Sequence, residues 1–486
     1  MLDGVSWTTA TVFLAELTLR IGLAVRIIMR RETPGVTFAW LNLILLVPLV
    51  GAAIYLLIGE SRLGRLRARQ ERLSQNAWAD WLVDLRRRAA PGAGRLSLAQ
   101  QRVARQAEQR AGMPAVDSAA VEILDEAGAV FNALLADIEG AASTCHLQFY
   151  IWGLKGRAVD VSRAVIDAAR RGVACRVLVD NVGSRAFLGS ELARAMRDAG
   201  VRIEDTMPVG PFRSRFARAD LRNHRKIAVI DGAVAYTGSM NLVDPEYFRQ
   251  GAGVGKWLDI MARVRGPVVE ALGAIFIREW ELATDDDLDE LLGKANVTAQ
   301  SAAGDVCAQV APSGPTPTAG SIHEVTLSAI YEAQQRLTIT TPYFVPDPAL
   351  RIALTSAADR GARVRLILPR RVDSRLVHYA SRAFFEELLD RGIEIHRYRD
   401  GLLHTKLITI DDHIALLGTV NLDPRSFFLN FENTLLIYDD GVARALREIQ
   451  EGYIARSEPV DLDRWRQRHI GRRFLCNLAQ LFSPVL

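Results

Sequence analysis

Paired cysteines are absent from this chain. Its four thiols, Cys145, Cys175, Cys307 and Cys476, are scattered with no C-x-x-C among them. They read as reduced and structural, which suits a cytoplasmic catalytic body and excludes a disulfide framework. A dominant charge of one sign is missing too. Lys and Arg number 60 against 56 Asp and Glu, so the net +4 points to no polyanionic partner and instead conceals local arginine clusters. There is no interleaved basic and aromatic platform for single-stranded nucleic acid. At 486 residues the chain is long enough for more than one domain.

What the chain does contain is one short motif written twice. His224-Arg225-Lys226 leads to Asp231 and then Gly238-Ser239-Met240-Asn241; His404-Thr405-Lys406 leads to Asp411 and then Gly418-Thr419-Val420-Asn421. Both read H-x-K-x4-D-x6-G-[ST]-x-N, and the histidines lie 180 residues apart. A strand puts residues i and i+2 on one face, so each imidazole and ammonium project together into one cleft. Lysine supplies a point charge for an anion, and Asn and Ser/Thr supply neutral donors. Two such sets facing each other make a phosphate clamp. Its histidines divide the labour: one attacks phosphorus, and the other protonates the leaving alcohol and deprotonates the acceptor. The lysines and amides neutralise the phosphoryl charge, and no Cys or carboxylate ligands cluster near either copy. The expectation is therefore no metal and no cofactor.

The doubled motif resembles the phospholipase D superfamily. Gly418 through Phe427, Leu429-Asn430-Phe431-Glu432, Pro342-Tyr343-Phe344-Val345-Pro346 and the paired N-terminal apolar segments are similar to bacterial cardiolipin synthases. The resemblance implies a reaction: two phosphatidylglycerols give cardiolipin and glycerol through a phosphatidyl-histidine. It implies a catalytic set of His224, Lys226, Asp231, His404, Lys406 and Asp411. His224 is read as nucleophile and His404 as acid/base, and pseudo-symmetry permits the reverse. Lys226, Lys406, Asn241 and Asn421 hold phosphate oxygens in this reading, with Ser239 and Thr419 shaping the loops. In the superfamily an acid after each motif orients a catalytic histidine. That role passes to Glu432, 28 residues after His404, and to Asp259, 35 after His224 beyond a glycine-containing insertion at 251–255. Asp231 and Asp411 read as turn residues that support the site. The same residues admit a phospholipase D hydrolase or a headgroup-exchanging transferase, and more remotely a phosphodiesterase nuclease.

The repeat extends beyond the motifs. Helix, strand, helix and strand patterns recur, with Gly172 and Gly361 each ending a helix before Val- and Leu-rich strands. Each half reads β-α-β-α-β-β. The expected fold is α/β, and the resemblance to the phospholipase D superfamily implies two α-β-α sandwich halves (116–296 and 321–460) whose sheets pack about a pseudo-twofold. A join at 297–320 rich in Ala, Ser, Gly, Pro and Thr separates them, and 306–310 is a candidate first strand of the second half.

An N-terminal transmembrane hairpin is expected over 1–60. Residues 36–58 are uncharged and long enough to span, with Pro48 as a kink. Residues 7–29 carry Glu16, Arg20 and Arg26, and the first two are spaced to pair on one face. No small-residue cleavage site marks a signal peptide. Arg62, Arg65, Arg67, Arg69 and Arg72, in a charged helical connector (61–115), place the body on the cytoplasmic side of a bacterial cell membrane by the positive-inside rule. The expected partner is membrane phosphatidylglycerol, without nucleic acid. Arg213, Arg215, Arg218 and Arg222, with Arg225, read as a basic rim for headgroups or membrane. The tail, 461–486, is basic and then apolar. It reads either as an interfacial helix or as a helix packed on the body.

Overall fold

The computed structural model describes residues 7–30, 34–59, 75–92, 94–207, 218, 220–248, 251, 253–284, 286, 297–315 and 319–483. The chain separates into two compact units, residues 1–69 with 209–221 and residues 70–208 with 222–486. Arg62, Arg65, Arg67, Arg69, Arg72, Arg213 and Arg215 lie outside the described residues.

Among its described residues the first unit holds three helices: α1 (Trp7–Met29), α2 (Pro34–Leu46) and α3 (Pro48–Ile58). The uncharged stretch expected as one kinked span is two helices. Pro48 has no N–H and forces the residue before it out of helical geometry, so Val47 sits at φ −131° and ψ 73°. Among the described residues no helix is long and apolar enough to cross a membrane. The two pieces, 13 and 11 residues, are ~20 and ~17 Å long at ~1.5 Å per residue. The longer α1 is interrupted by charge, although Arg20 and Glu16 do pair, at 2.6 Å. Leu23, Ile27, Ile44, Ala52 and Tyr55 form a small core, with Trp40 edge-on to Tyr55 at 5.3 Å. Gly51 makes the bend possible: a Cβ there would meet the Leu43 carbonyl oxygen at 2.4 Å.

The second unit is built on one sheet. Its strands are β1 (Ala115–Leu124), β2 (Thr144–Phe149), β3 (Ala174–Asp180), β4 (Arg202–Thr206), β5 (Ile227–Ile230), β6 (Val234–Gly238), β7 (Trp257–Leu258), β8 (Met261–Arg265), β9 (Val306–Ser313), β10 (Arg336–Thr340), β11 (Arg363–Pro369), β12 (Glu394–Tyr398), β13 (Leu402–Leu403), β14 (Leu407–Ile410), β15 (Ile414–Gly418), β16 (Glu432–Tyr438) and β17 (Ser457–Pro459). The order is β17-β12-β11-β10-β14-β15-β16-β9-β1-β8-β6-β5-β2-β3-β4, and β7 and β13 pair separately. This corrects the expectation of two sheets packed on one another. The halves are joined edge to edge, because β1 pairs with both β8 and β9. The strand expected at 306–310 runs on to Ser313 and pairs with β16 and β1, so the join itself supplies the seam.

Burial on both faces explains the near-continuous apolar strands. Ile227 and Val229 share a core with the helices Gln75–Ala89 and Val268–Ala283, whereas Ala228 and Ile230 face the helices Ala127–Glu139 and Arg157–Arg170. Leu407 and Ile408 divide in the same way in the second half. Gly172 and Gly361, both at φ 93°, end their helices as expected; the N–H groups of Val173 and Ala362 reach back to Ala168 O and Ala357 O, each at 3.1 Å.

Asp231 and Asp411 turn the β5–β6 and β14–β15 hairpins at φ 53° and 49°. Asp231 accepts from the N–H groups of Ala142, Ser143 and Thr144 at 2.7–2.8 Å; Asp411 accepts from those of Gln334, Gln335 and Arg336 at 2.6–2.8 Å. Each carboxylate thus clasps the start of the neighbouring strand, β2 or β10, at the end of the hairpin strand away from its histidine. Their grouping with the catalytic residues is corrected on this geometry: they are anchors. Replacing Asp411 by Ala strands three N–H groups, and thermal or denaturant unfolding is expected to show a loss of about 1–3 kcal/mol. Turnover per folded molecule should change little.

Candidate active site

The approach to each motif is held by the opposite half. His224 N–H donates to Phe431 O at 2.8 Å, and His404 N–H donates to Leu258 O at 2.8 Å. Phe431 and Leu258 immediately precede Glu432 and Asp259. The two acids also occupy one register position, since Gly238 pairs with Met261 and Gly418 with Thr434. The longer spacing to Asp259 is absorbed in the loop before β7. The result is a crossed pair. His224 Nδ1 meets Glu432 Oε2 at 2.8 Å, and His404 Nδ1 meets Asp259 Oδ1 at 2.7 Å. Each carboxylate fixes a tautomer and leaves Nε2 as the reacting nitrogen.

The lysines follow from strand geometry. Two residues after each histidine, Lys226 Nζ donates to His224 O at 2.7 Å and Lys406 Nζ to His404 O at 2.5 Å. Both are fully buried. Ser239 and Thr419 serve the acids. Ser239 Oγ donates to Asp259 Oδ1 at 2.7 Å and accepts from Ile260 N at 3.0 Å; Thr419 Oγ1 accepts from Asn433 N at 2.9 Å. Asn241 Oδ1 accepts from Ile151 N at 3.2 Å, and Asn421 Nδ2 donates to Ser426 Oγ at 3.2 Å.

Burial sets the electrostatics. Desolvation, with the nearby lysines, drives His224 and His404 down to about 4 against the pull of their carboxylates. It also lowers Lys226 to about 8 and Lys406 to about 7. Asp259 is pushed up by burial but pulled further down, to about 2, by His404, Lys406 and Ser239. Burial raises Glu432 as well, and His224 and Lys226 bring it below its ordinary value. At neutral pH both imidazoles are uncharged, Lys226 is mostly charged and Lys406 about half so, and the lysines offset most of the carboxylate charge.

Two ring contacts and one strut were not legible as site features. Trp257 lies over His404 at 4.4 Å, and Tyr150 stands edge-on to His224 at 5.0 Å. The signal for Trp257 was its place two residues before Asp259, on the same strand face. Arg225 was counted in the basic rim, but it faces inward and is 6% exposed. It bonds Glu279 Oε1 at 2.7 Å, Glu432 O at 3.0 Å and Ser313 O at 3.1 Å. It therefore braces the strand that carries Glu432. Arg218 pairs with Asp220 at 2.5 Å. Arg222 offers its carbonyl to Phe431 N–H at 2.9 Å.

Comparison with known proteins bears on this arrangement. The family model described as "Cardiolipin synthase, PLD-like domain" matches residues 134–251 and 326–453, once over each motif. The chain belongs to the cardiolipin synthase family of phospholipase D-like proteins. A second family model, "Phospholipase_D-nuclease N-terminal", matches residues 19–60. Cardiolipin synthase A of Erwinia tasmaniensis is 43% identical over 465 residues, 96% of each chain. Cardiolipin synthase A of Yersinia pseudotuberculosis serotype O:1b is 41% identical, again over 96% of each. The crystal structure of phosphatidylserine synthase from Haemophilus influenzae, at 15% identity, superposes with a TM-score of 0.58 over 79% of this chain and 100% of that one, which supports the two-half α/β fold.

The pKa directions generate a pH profile. In kcat/KM the acid limb should fall near pH 4, where the imidazole that must attack protonates and loses its lone pair. The alkaline limb should fall between 7 and 8, where Lys406 and then Lys226 lose the charge that holds an anion. Lys406→Arg should push the alkaline limb upward; an unmoved limb would remove Lys406 from the phosphate clamp. Glu432→Gln keeps the shape but loses the charge and should cost about 10²–10⁴ in kcat.

Proposed function

We propose that this member of the cardiolipin synthase family transfers a phosphatidyl group from one phosphatidylglycerol to another, releasing glycerol. The observation that carries the reading is the crossed pair, two imidazoles each held at Nδ1 by a carboxylate from the other half. In the first step His224 Nε2 attacks phosphorus, the P–O bond to glycerol breaks, and His404 gives its proton to the departing oxygen. In the second, the hydroxyl of another phosphatidylglycerol loses its proton to His404 and attacks the phosphatidyl-histidine, freeing His224. Lys226, Lys406, Asn241 and Asn421 hold the phosphoryl oxygens, and Asp259 and Glu432 orient the rings. The role assignment uses an asymmetry: the His224 ring is 12% exposed, whereas His404, beneath Trp257, is 4% exposed.

The bound phosphodiester is an anion, and its charge raises the imidazole that must donate. The imidazole then takes up from solvent, as substrate binds, the proton which the resting site lacks at neutral pH.

We further propose that α1–α3 embed the enzyme in a bacterial cell membrane with its catalytic body cytoplasmic. Phe13, Leu14, Ile21, Val25, Ile28, Phe38, Leu46, Leu49 and Val50 are all exposed on these helices, as lipid-facing side chains are. Residues 34–58 read as one bent crossing of ~30 Å hydrocarbon, and α1, with Glu16 and Arg20 neutralising each other, reads as the second.

His224→Ala and His404→Ala are each expected to lower cardiolipin formation by at least about 10³. With phosphatidylglycerol labelled in its phosphatidyl group, the quenched unmodified enzyme should carry label on the His224 peptide, and the His224→Ala enzyme should carry none. Full activity after His404→Ala would overturn the two-histidine scheme. Phosphatidic acid in place of cardiolipin from the unmodified enzyme would make it a hydrolase.

A further inference from the structure

The C-terminal helix, Ile470–Gln480, is packed on one side only. Cys476 and Ala479 turn inward, and the helix lies along the helix Arg375–Ala383. Facing away are Ile470, Phe474, Leu475, Leu478, Leu481 and Phe482, each between 42% and 77% exposed. At ~100° per residue these six fall on one arc of ~140°, and the inward pair falls outside it. An apolar arc of this size on a finished surface calls for an occupant.

The charges beside it say which one. Arg473 lies ~60° beyond one edge of the arc, and Arg472, beside it in the same turn, is also exposed. Arg472 makes no ion pair among the described residues, and Arg473 lies 3.9 Å from Glu386. On the supporting helix, Arg382 has no hydrogen-bond or ion-pair partner among the described residues. It lines a small pocket with His378 and Arg397, open beside Pro342 and Phe385. Two of these three cations have no carboxylate partner among the described residues, and Arg473 has only a long one; such charge around an apolar stripe matches a surface that is greasy inside and anionic at its rim. A second copy of the chain fits less well: a helix of 11 residues is ~17 Å long, short for the ~800 Å² that each partner gives a stable interface.

We propose that the C-terminal helix is a membrane foot, which seats its apolar arc at the headgroup–acyl boundary of an anionic bilayer while Arg472, Arg473 and Arg382 meet phosphodiester headgroups. This goes beyond the proposed reaction and borrows from it only the identity of the surface. The foot is separate from the catalytic residues, so docking and turnover can fail independently.

The test uses the full chain in lipid nanodiscs of phosphatidylglycerol and phosphatidylcholine. Phe474→Cys is labelled with a thiol-reactive bimane; the four native cysteines are buried. The label should be quenched by doxyl-labelled lipid in the disc and shielded from aqueous iodide. Either an all-phosphatidylcholine disc or Arg472→Glu with Arg473→Glu should weaken the lipid quench at least about twofold. A label open to iodide and untouched by doxyl lipid would overturn the proposal. Shielding from both quenchers would overturn it in favour of a protein partner such as a second copy. A lipid quench indifferent to both charge changes would also overturn it. Cardiolipin formation, followed in parallel, separates a failure of docking from a failure of the catalytic reading.

Discussion

Everything at the catalytic centre depends on the exchange of carboxylates between halves. Neither half can orient its own histidine: His224 needs Glu432, and His404 needs Asp259. The exchange is built by backbone, since each motif runs alongside the strand that carries the other half's acid. It therefore requires the halves to be fixed to within a hydrogen bond, a fraction of an ångström. The β1–β9 seam meets that requirement, because a ladder sets register where a packed interface only limits separation. Arg225 adds a second lock, tying the first motif to the backbone of β9 and β16 from beneath.

Duplication gave the centre matched bonding but unmatched surroundings. Ile260 and Asn433 hold Ser239 and Thr419 through the same backbone bonds, and each lysine returns to the carbonyl of its own histidine. The rings above differ. Trp257 lies over His404, whereas its register partner in the second half is Asn430, which bonds Glu432 at 3.1 Å. Tyr150 stands beside His224, and the equivalent position in the second half is Pro342. A symmetric clamp can hold either phosphoryl orientation; in the proposed cycle the asymmetric walls distinguish the imidazole that attacks from the one that carries the proton.

The sequence made the repeated parts legible, because repetition turns a weak motif into a spacing that can be checked twice. The hairpins, the glycines that close the helices and the two acids all lie where local pattern puts them. Three things were hidden, each for a physical reason. Which acid serves which histidine is a tertiary fact, since chain order suggests a partner within the same half. The inward turn of Arg225 follows from strand alternation against His224 and Lys226, but a run of arginines reads first as surface. At Pro48 composition reads as one uninterrupted apolar span, whereas the ring and missing N–H of proline act on Val47, one residue earlier, and divide it.

The site's charge state bears on how transfer avoids becoming hydrolysis. At rest the lysines offset most of the carboxylate charge, and both imidazoles are neutral because burial holds them near 4. No acid is then ready, so an empty site has nothing with which to expel a leaving group. A phosphodiester brings one negative charge into this nearly balanced, low-dielectric pocket, where it acts most strongly on the nearest titrating group. In the proposed cycle that group is His404, which takes up a proton from solvent as the substrate binds. Once glycerol has left, His404 is again a neutral base beside a phosphatidyl-histidine. What it deprotonates next depends on which hydroxyl is held against it, and therefore on the wall that Trp257 forms. Phosphoryl transfer of this kind places selectivity in the packing around the base, because the electrophile itself is equally open to water and to alcohol.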